Sequence, residues 1–444
     1  MIHERLADLE RKGTPITVGI IGAGTFGTQI IAQTCRIKGM RVAAIADLNI
    51  ERGIRALKLG GISEDHIQVT TSVKQIHESI DKNISAVTSQ VEEVLESDLD
   101  IIVEATGIPE VGAVNAYQAI QNKKNLVMVT VEADVLVGYL LKNMADKAGV
   151  LYSMAYGDEP ALACELCDWA RTLGFQLISS GKGTRFSLEF RKANPDDVPK
   201  MYGFTGKDYN ASMFCSFLDG TKHSIEMAAL SNATGLIPDV RGMHFPTADL
   251  RNIPDIVCHK DRGGILNSTG VVEAVSSIFP NGQSVERNLR GGLYAVVEGQ
   301  TDFAYESMSS YGDITGMIIG KKSRHAMIYR PQHFIGHEVA IGIARMMIYK
   351  EPVATIIGRI SEVVTAAKKL LTPGTKLDGE GGYATYGMVE KADVAREERL
   401  VPIGLTHGAE VIREIPEDGM ITYDNVKLVE SKLLDLRKAQ DKLD

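Results

Sequence analysis

ITVGIIGAGTFGTQIIAQTCRIKGMRVAAIAD, residues 16–47, decides the fold. Its first six residues are an apolar run short enough for a buried strand. The run passes straight into Gly22-Ala23-Gly24-Thr25-Phe26-Gly27, and TQIIAQTCRIKG then reads as a helix. A second strand, RVAAIAD, ends at Asp47, 20 residues beyond Gly27. Gly22 permits the tight turn, Gly24 lets a pyrophosphate approach the backbone, and Gly27 allows helix and strand to pack closely. The helix N-terminus adds N–H groups and positive potential. Strand, turn, helix and distant acid together predict a dinucleotide site that includes Thr25 and Phe26. Asp47 suits an adenosine ribose and so NAD. Arg52 is near enough to meet a ribose phosphate and so NADP, and reads equally as a solvated helix charge.

Two further units continue the pattern. LDIIVEATG (residues 99–107) is a strand ending in Thr106-Gly107, where backbone can lie against a nicotinamide. PEVGAVNAYQAIQNKK is a helix, and NLVMVT a strand ending at Thr130. Ligands gather at the carboxyl ends of such strands. Glu132 is therefore a candidate for the nicotinamide ribose or the substrate, or a capping acid of the helix that follows.

The remaining chain limits the function classes. With 444 residues, two or three domains are expected at ~150 residues each. The 48 basic and 57 acidic residues give a charge of −9, and no basic tract offers a footprint for nucleic acid. The greasiest stretch, NLVMVTVEADVLVGYLL, is interrupted by Glu132 and Asp134 and does not suit a bilayer. The opening MIHERLADLERKGTP has no signal-peptide core, and five cysteines make no disulfide framework. A cytoplasmic protein is expected. Cys164 and Cys167 form a CxxC inside a helical pattern and read as buried helix residues before they read as zinc or redox ligands.

The middle of the chain carries the candidate chemistry. Gly157-Asp158-Glu159-Pro160 opens a helix, and its acids suit capping better than a cation. LGFQLISSGKGTRF is a strand running into glycines that flank Lys182, with Arg185 just beyond; these cations beside flexible backbone suit an anionic substrate. In SFLDGTKHSIEMAALSNATG, Asp219, Lys222 and Glu226 are spaced by three and four. Such spacing on a helix starting near Thr221 turns them to one face, where an acid–lysine–acid stripe can move protons or polarise a carbonyl. Neighbouring small residues such as Ala228 and Ala229 predict a buried helix. His333 and His337, four residues apart with Glu338 adjacent, invite a metal reading, but HEVAIG carries Ile341 where HExxH would carry its second histidine, so ring packing or helix capping is favoured.

GIIGAGTFG, IVEATG and the strand–GDEP–helix segment resemble the nucleotide-binding domain of the homoserine dehydrogenase superfamily. The resemblance implies that Asp219 and Lys222 face the nicotinamide ring, while the words around them differ enough to disfavour homoserine itself. AAKKLLTPGTKLDG and VPIGLTHGAEVIREIPEDGMITYDNV resemble the SAF domain, a small β-rich module. The combination resembles the deoxyxylulose phosphate reductoisomerase-like enzymes.

That resemblance implies an α/β chain with three parts. They are a Rossmann-type NAD(P) domain over 1–155, an α+β substrate and oligomerisation domain over 156–352, and a SAF-like β domain with a terminal helix over 353–444. It further implies NADPH, with NADH as the alternative, a magnesium or manganese cation with no ligands assigned, and a homo-oligomer. The implied reaction converts 1-deoxy-D-xylulose 5-phosphate to 2-C-methyl-D-erythritol 4-phosphate in isoprenoid biosynthesis. Lys182 and Arg185 would hold the phosphate, Lys222 would polarise the ketone, Asp219 or Glu226 would be the base, and Lys182 would assist. Two alternatives stand beside it: a dehydrogenase or reductase of another small sugar or sugar acid, and a dinucleotide sensor without turnover.

Overall fold

A computed structural model describes residues 1–204 and 209–443. Ile16–Ile21 forms strand β1, and Val18 and Ile20 on it are fully buried. It is followed by β2 (Met40–Ala46), β3 (Ile67–Val69), β4 (Ser85–Thr88), β5 (Ile101–Glu104), β6 (Asn125–Met128) and β7 (Tyr152–Met154). These build a parallel sheet in the order β3-β4-β2-β1-β5-β6-β7. The order reverses at β1, so the crevice beyond its carboxyl end falls at the glycine turn. Strands covered on both faces read as continuous apolar runs, which is why β1, β5 and β6 were visible in the sequence. β3 and β4, whose few residues include Gln68, Ser85 and Thr88, were not.

The described chain forms two compact units: Met1–Ala161 with Phe334–Thr355 and Leu436–Asp444, and Leu162–His333 with Ile356–Asp435. In the first unit, helix Ile335–Ala344 returns to pack on helix Thr25–Thr34; a Cβ at Gly336 would strike the Gln29 side chain. The end of the chain also returns. Gln440 accepts the Leu140 N–H at 2.9 Å and donates to the Leu136 carbonyl at 2.9 Å, holding helix Lys432–Gln440 to helix Val131–Ala148. No helix among the described residues is long and apolar enough to cross a membrane.

The second unit contains β8 (Gln176–Thr184), β9 (Ile237–Pro238), β10 (Val271–Ser276), β11 (Leu293–Glu298), β12 (Ile318–Ile319) and β13 (Ala326–Arg330). Their order is β12-β13-β11-β8-β10-β9, with β8 parallel to β10 and antiparallel to β11. Helix Thr221–Thr234 is buried almost all round. A Cβ on Gly181 of β8 would come 3.1 Å from its Met227 sulfur. The antiparallel pair β14 (Ser361–Ala367) and β15 (Thr385–Lys391) binds it too. There Thr221 Oγ1 accepts the Gly387 N–H at 2.8 Å, and Asn232 Oδ1 accepts the Ser361 N–H at 2.9 Å.

Two sequence expectations change here. Gly181-Lys182-Gly183 is the interior of β8, not a flexible loop beyond it. The glycines are required because a Cβ on Gly181 would strike the Glu273 carbonyl and one on Gly183 the Leu289 carbonyl. Asp219 also lies outside the 221–234 helix. It ends helix Ala211–Leu218, and Gly220 at φ +85° redirects the chain before Thr221.

Candidate active site

The glycine turn separates the three roles assigned to its glycines. Gly22 has φ +97°, and a Cβ there would lie 2.7 Å from the Ala105 carbonyl. A Cβ on Gly27 would overlap the Gly22 carbonyl. At Gly24, in contrast, a Cβ would meet nothing within 4 Å. Open space above Gly24, at the N-cap of helix Thr25–Thr34, fits a pyrophosphate, because the first turn of a helix presents N–H groups that lack intrahelical acceptors. Thr25 and Phe26 are exposed on this rim. Asp47 accepts the Ala23 N–H at 2.7 Å and the Asn49 N–H at 2.8 Å, fixing the turn from the end of β2. Arg52 is exposed on helix Ile50–Gly60.

The corner after β5 is equally fixed. Buried Glu104 accepts the Thr106 N–H at 3.1 Å and the Thr106 hydroxyl, and Thr130 Oγ1 accepts the Gly107 N–H at 3.0 Å. Burial raises the Glu104 carboxyl above its ordinary range. Glu132 is half-buried in the first turn of helix Val131–Ala148. Asp134, fully buried, accepts from the Tyr152 hydroxyl at 2.6 Å, and burial pushes its carboxyl up to about 7.

In the second unit, Lys182 and Glu226 form an ion pair whose side chains are each 3% exposed. His223 completes the group: its Nε2 lies 2.6 Å from Thr184 Oγ1 and its Nδ1 3.8 Å from Glu226. Burial first, then the Lys182 charge, pushes the imidazole down to about 4, so it is neutral at physiological pH. Burial alone would raise Glu226, but Lys182, with His223 and Lys222 beside it, holds its carboxyl well below the usual range. Lys222 itself is half-buried. Phe217, Phe186 and Phe245 enclose the cluster; Lys182 Nζ is 5.9 Å from the Phe217 ring centroid.

The expected stripe is thus divided. Glu226 and Lys222 share the 221–234 helix, whereas Asp219 turns away and meets Lys368 at 2.7 Å. Lys368 also donates to the Ala193 and Gly382 carbonyls at 2.5 and 2.6 Å, which makes this pair a buried cross-link between β14 and its neighbours. Lys182 is committed to Glu226 and does not stand on the surface beside Arg185 as a phosphate group would require. Arg185 is half-buried and donates to the Met201 carbonyl at 3.1 Å. Sequence reasoning missed His223 and Lys368. His223 stood inside the stripe, and its link to Thr184 joins helix to strand across 39 residues, a contact no local spacing reveals.

The lesser candidates are structural. Cys164 and Cys167 are buried thiols. Glu338 accepts the Phe334 N–H at 3.0 Å, capping its own helix, and His333 meets the Gly291 carbonyl at 2.8 Å. Asp158 accepts the Glu159 N–H at 2.9 Å at the start of helix Glu159–Thr172. No group of three or more His, Cys, Asp or Glu residues among those described could hold a metal ion.

Residues 157–339 match the family model of the oxidoreductase DRL catalytic domain. The Lys182–Glu226–His223 cluster lies within this match. A comparison with curated proteins finds no match. Among solved structures, the chain is similar to the Zymomonas mobilis 1-deoxy-D-xylulose 5-phosphate reductoisomerase in complex with NADPH, at 16% identity and a TM-score of 0.36, covering 49% of this chain and 57% of that one. It therefore spans little more than half of that enzyme. It is also similar to the Lactobacillus casei scyllo-inositol dehydrogenase with bound NAD(H) and scyllo-inositol, at 10% identity and a TM-score of 0.38, covering 77% of this chain and 92% of that one.

Proposed function

We propose that this protein is an NAD(P)H-dependent oxidoreductase that reduces a small anionic sugar or sugar acid. The carrying observation is a buried Lys182–Glu226–His223–Thr184 group inside the catalytic-domain match, with half-buried Lys222 beside it. Single buried charges are destabilising unless paired, and a paired set adjoining a less buried lysine suits a site that manages charge. Gly22, Gly24 and Gly27 would line the pyrophosphate, Asp47 and Arg52 would meet the adenosine ribose, and Thr106, Gly107 and Glu132 would meet the nicotinamide half.

Bound NAD(P)H supplies the hydride. Lys222 donates to the carbonyl oxygen as negative charge develops on it, and hands over a proton when the alcohol forms. The Glu226 carboxylate and the Lys222 ammonium attract each other across their shared helix. Lys182 keeps Glu226 ionised, so Glu226 acts as an electrostatic anchor rather than as the base expected from the sequence. His223, neutral and held by Thr184, fixes the carboxylate from the other side. Arg185 contributes a planar fork for the substrate's anionic group.

The finer reading is the reductoisomerase reaction on 1-deoxy-D-xylulose 5-phosphate; the sequence resemblance supports it. The test incubates purified protein with NADPH or NADH, with and without magnesium or manganese, and a panel of phosphorylated and free ketoses. Nicotinamide oxidation with deoxyxylulose phosphate supports the finer reading. Oxidation with other sugars supports the broader one alone, and tight binding without turnover favours a sensor.

A further inference from the structure

His244 lies outside the cluster and is held between two carboxylates. Its Nδ1 is 2.8 Å from Glu273 Oε2, and its Nε2 is 3.5 Å from Asp239 Oδ2. Glu273, on β10, is fully buried and accepts the N–H groups of His244, Phe245 and Ala274 at 3.0, 3.1 and 3.0 Å. Asp239 in turn accepts from Asn267 and Ser268. The backbone on both sides of His244 is strained: Met243 has φ +61° and Phe245 φ +49°, in a region that bulky residues avoid. Strain of ~1–3 kcal/mol per residue persists only where surrounding contacts over-determine it.

What the strain holds in place is Phe245. Its ring packs on Phe186 at 4.4 Å between centroids and approaches the His223 ring at 6.2 Å. We propose that His244 is a positioning residue that, braced between Asp239 and Glu273, seats the Phe245 ring against His223 and so sets the packing of the Lys182–Glu226 cluster. The seat itself is a packing relation. Only its consequence for turnover rests on the function proposed above.

The brace depends on pH in a definite direction. Glu273 first, and Asp239 with it, raise the His244 pKa against burial; Lys260 is the cation that opposes them. A raised histidine pKa contributes stability that is complete below the unfolded value of ~6.5 and is lost as pH rises through the folded value. The seat therefore loosens on the alkaline side. His223, pushed down to about 4, does not titrate there and can serve as a silent reporter.

The experiment is a ring-proton NMR titration of the full chain labelled at histidine, from pH 6 to 10, with His223 and His244 assigned in wild type from NOEs to their neighbouring aromatic rings. In wild type, the His223 signal should shift with the same midpoint as His244, because the Phe245 ring current changes. In His244→Gln the His223 signal should be flat. A flat His223 signal in wild type, or an unchanged shift in His244→Gln, overturns the proposal. The wild-type titration decides even if the variant does not fold. Neither readout uses catalysis, so an inactive substrate panel would refute the proposed function and leave this result standing.

Discussion

The glycine turn after β1 and the cluster between β8 and helix Thr221–Thr234 solve opposite problems. The turn leaves space and bare backbone, with nothing within 4 Å of where a Gly24 side chain would begin. The cluster removes all space, holding two full charges in side chains 3% exposed. A ligand that brings its own negative charge needs only N–H groups and room. A reaction that creates charge needs fixed charges already in place, away from water. The first kind of site is made by local sequence and the second by tertiary packing.

Disturbing buried charge should give the largest effects, and it separates structural from reactive pairs. Asp219→Ala leaves Lys368 buried and unpaired, so stability should fall by about 3–5 kcal/mol; denaturant unfolding measures it. A loss of turnover without that loss of stability would return Asp219 to the reacting group. Lys222→Ala, at a half-buried position, should lower turnover about a hundredfold or more while the melting temperature stays within a few degrees of wild type. Near-normal turnover would make Lys222 a solvated helix charge.

The first unit offers the complementary test. Asp134, pushed up to about 7, holds its proton more tightly folded than unfolded, so it contributes stability at low pH that is lost as pH rises from ~4 through its folded value. Asp134→Asn should keep the Tyr152 hydrogen bond and abolish that loss, stabilising the protein at pH 8 by on the order of 4 kcal/mol. Thermal melts of both proteins across pH 4–8 check the sign; parallel curves would mean that the buried acid is not the cause. Smallest is Arg185→Ala. It should raise the Michaelis constant for a phosphorylated substrate about tenfold and barely change that for a free sugar. Equal effects on both would remove its anion-binding role.

The same contrast explains what the sequence revealed. Residues 16–47 carry strand, turn, helix and acid in one continuous word, and the structure keeps every part of it in place: β1, the open Gly24 and Asp47 against Ala23. The burial of the 221–234 helix was also legible from its small residues. The composition of its cluster was not, because Lys182 arrives from β8 and Asp219 is drawn off by Lys368, 149 residues away in sequence. Spacing of three and four identifies a shared face only if the helix is continuous, and Gly220 interrupts it. The glycines around Lys182 signalled close strands rather than a mobile loop, a distinction that rests on carbonyls of Glu273 and Leu289 far along the chain.

The central claim is that the two regions divide the work, one holding the dinucleotide and the other the reacting charge. Fluorescence titration of NADPH into wild type, Gly24→Val and Lys222→Ala tests it most directly. The Gly24 side chain would grow into open space, so Gly24→Val should fold and melt as wild type does yet lose NADPH binding, while Lys222→Ala should bind NADPH with wild-type affinity. Normal binding by Gly24→Val, or lost binding by Lys222→Ala, would contradict the division.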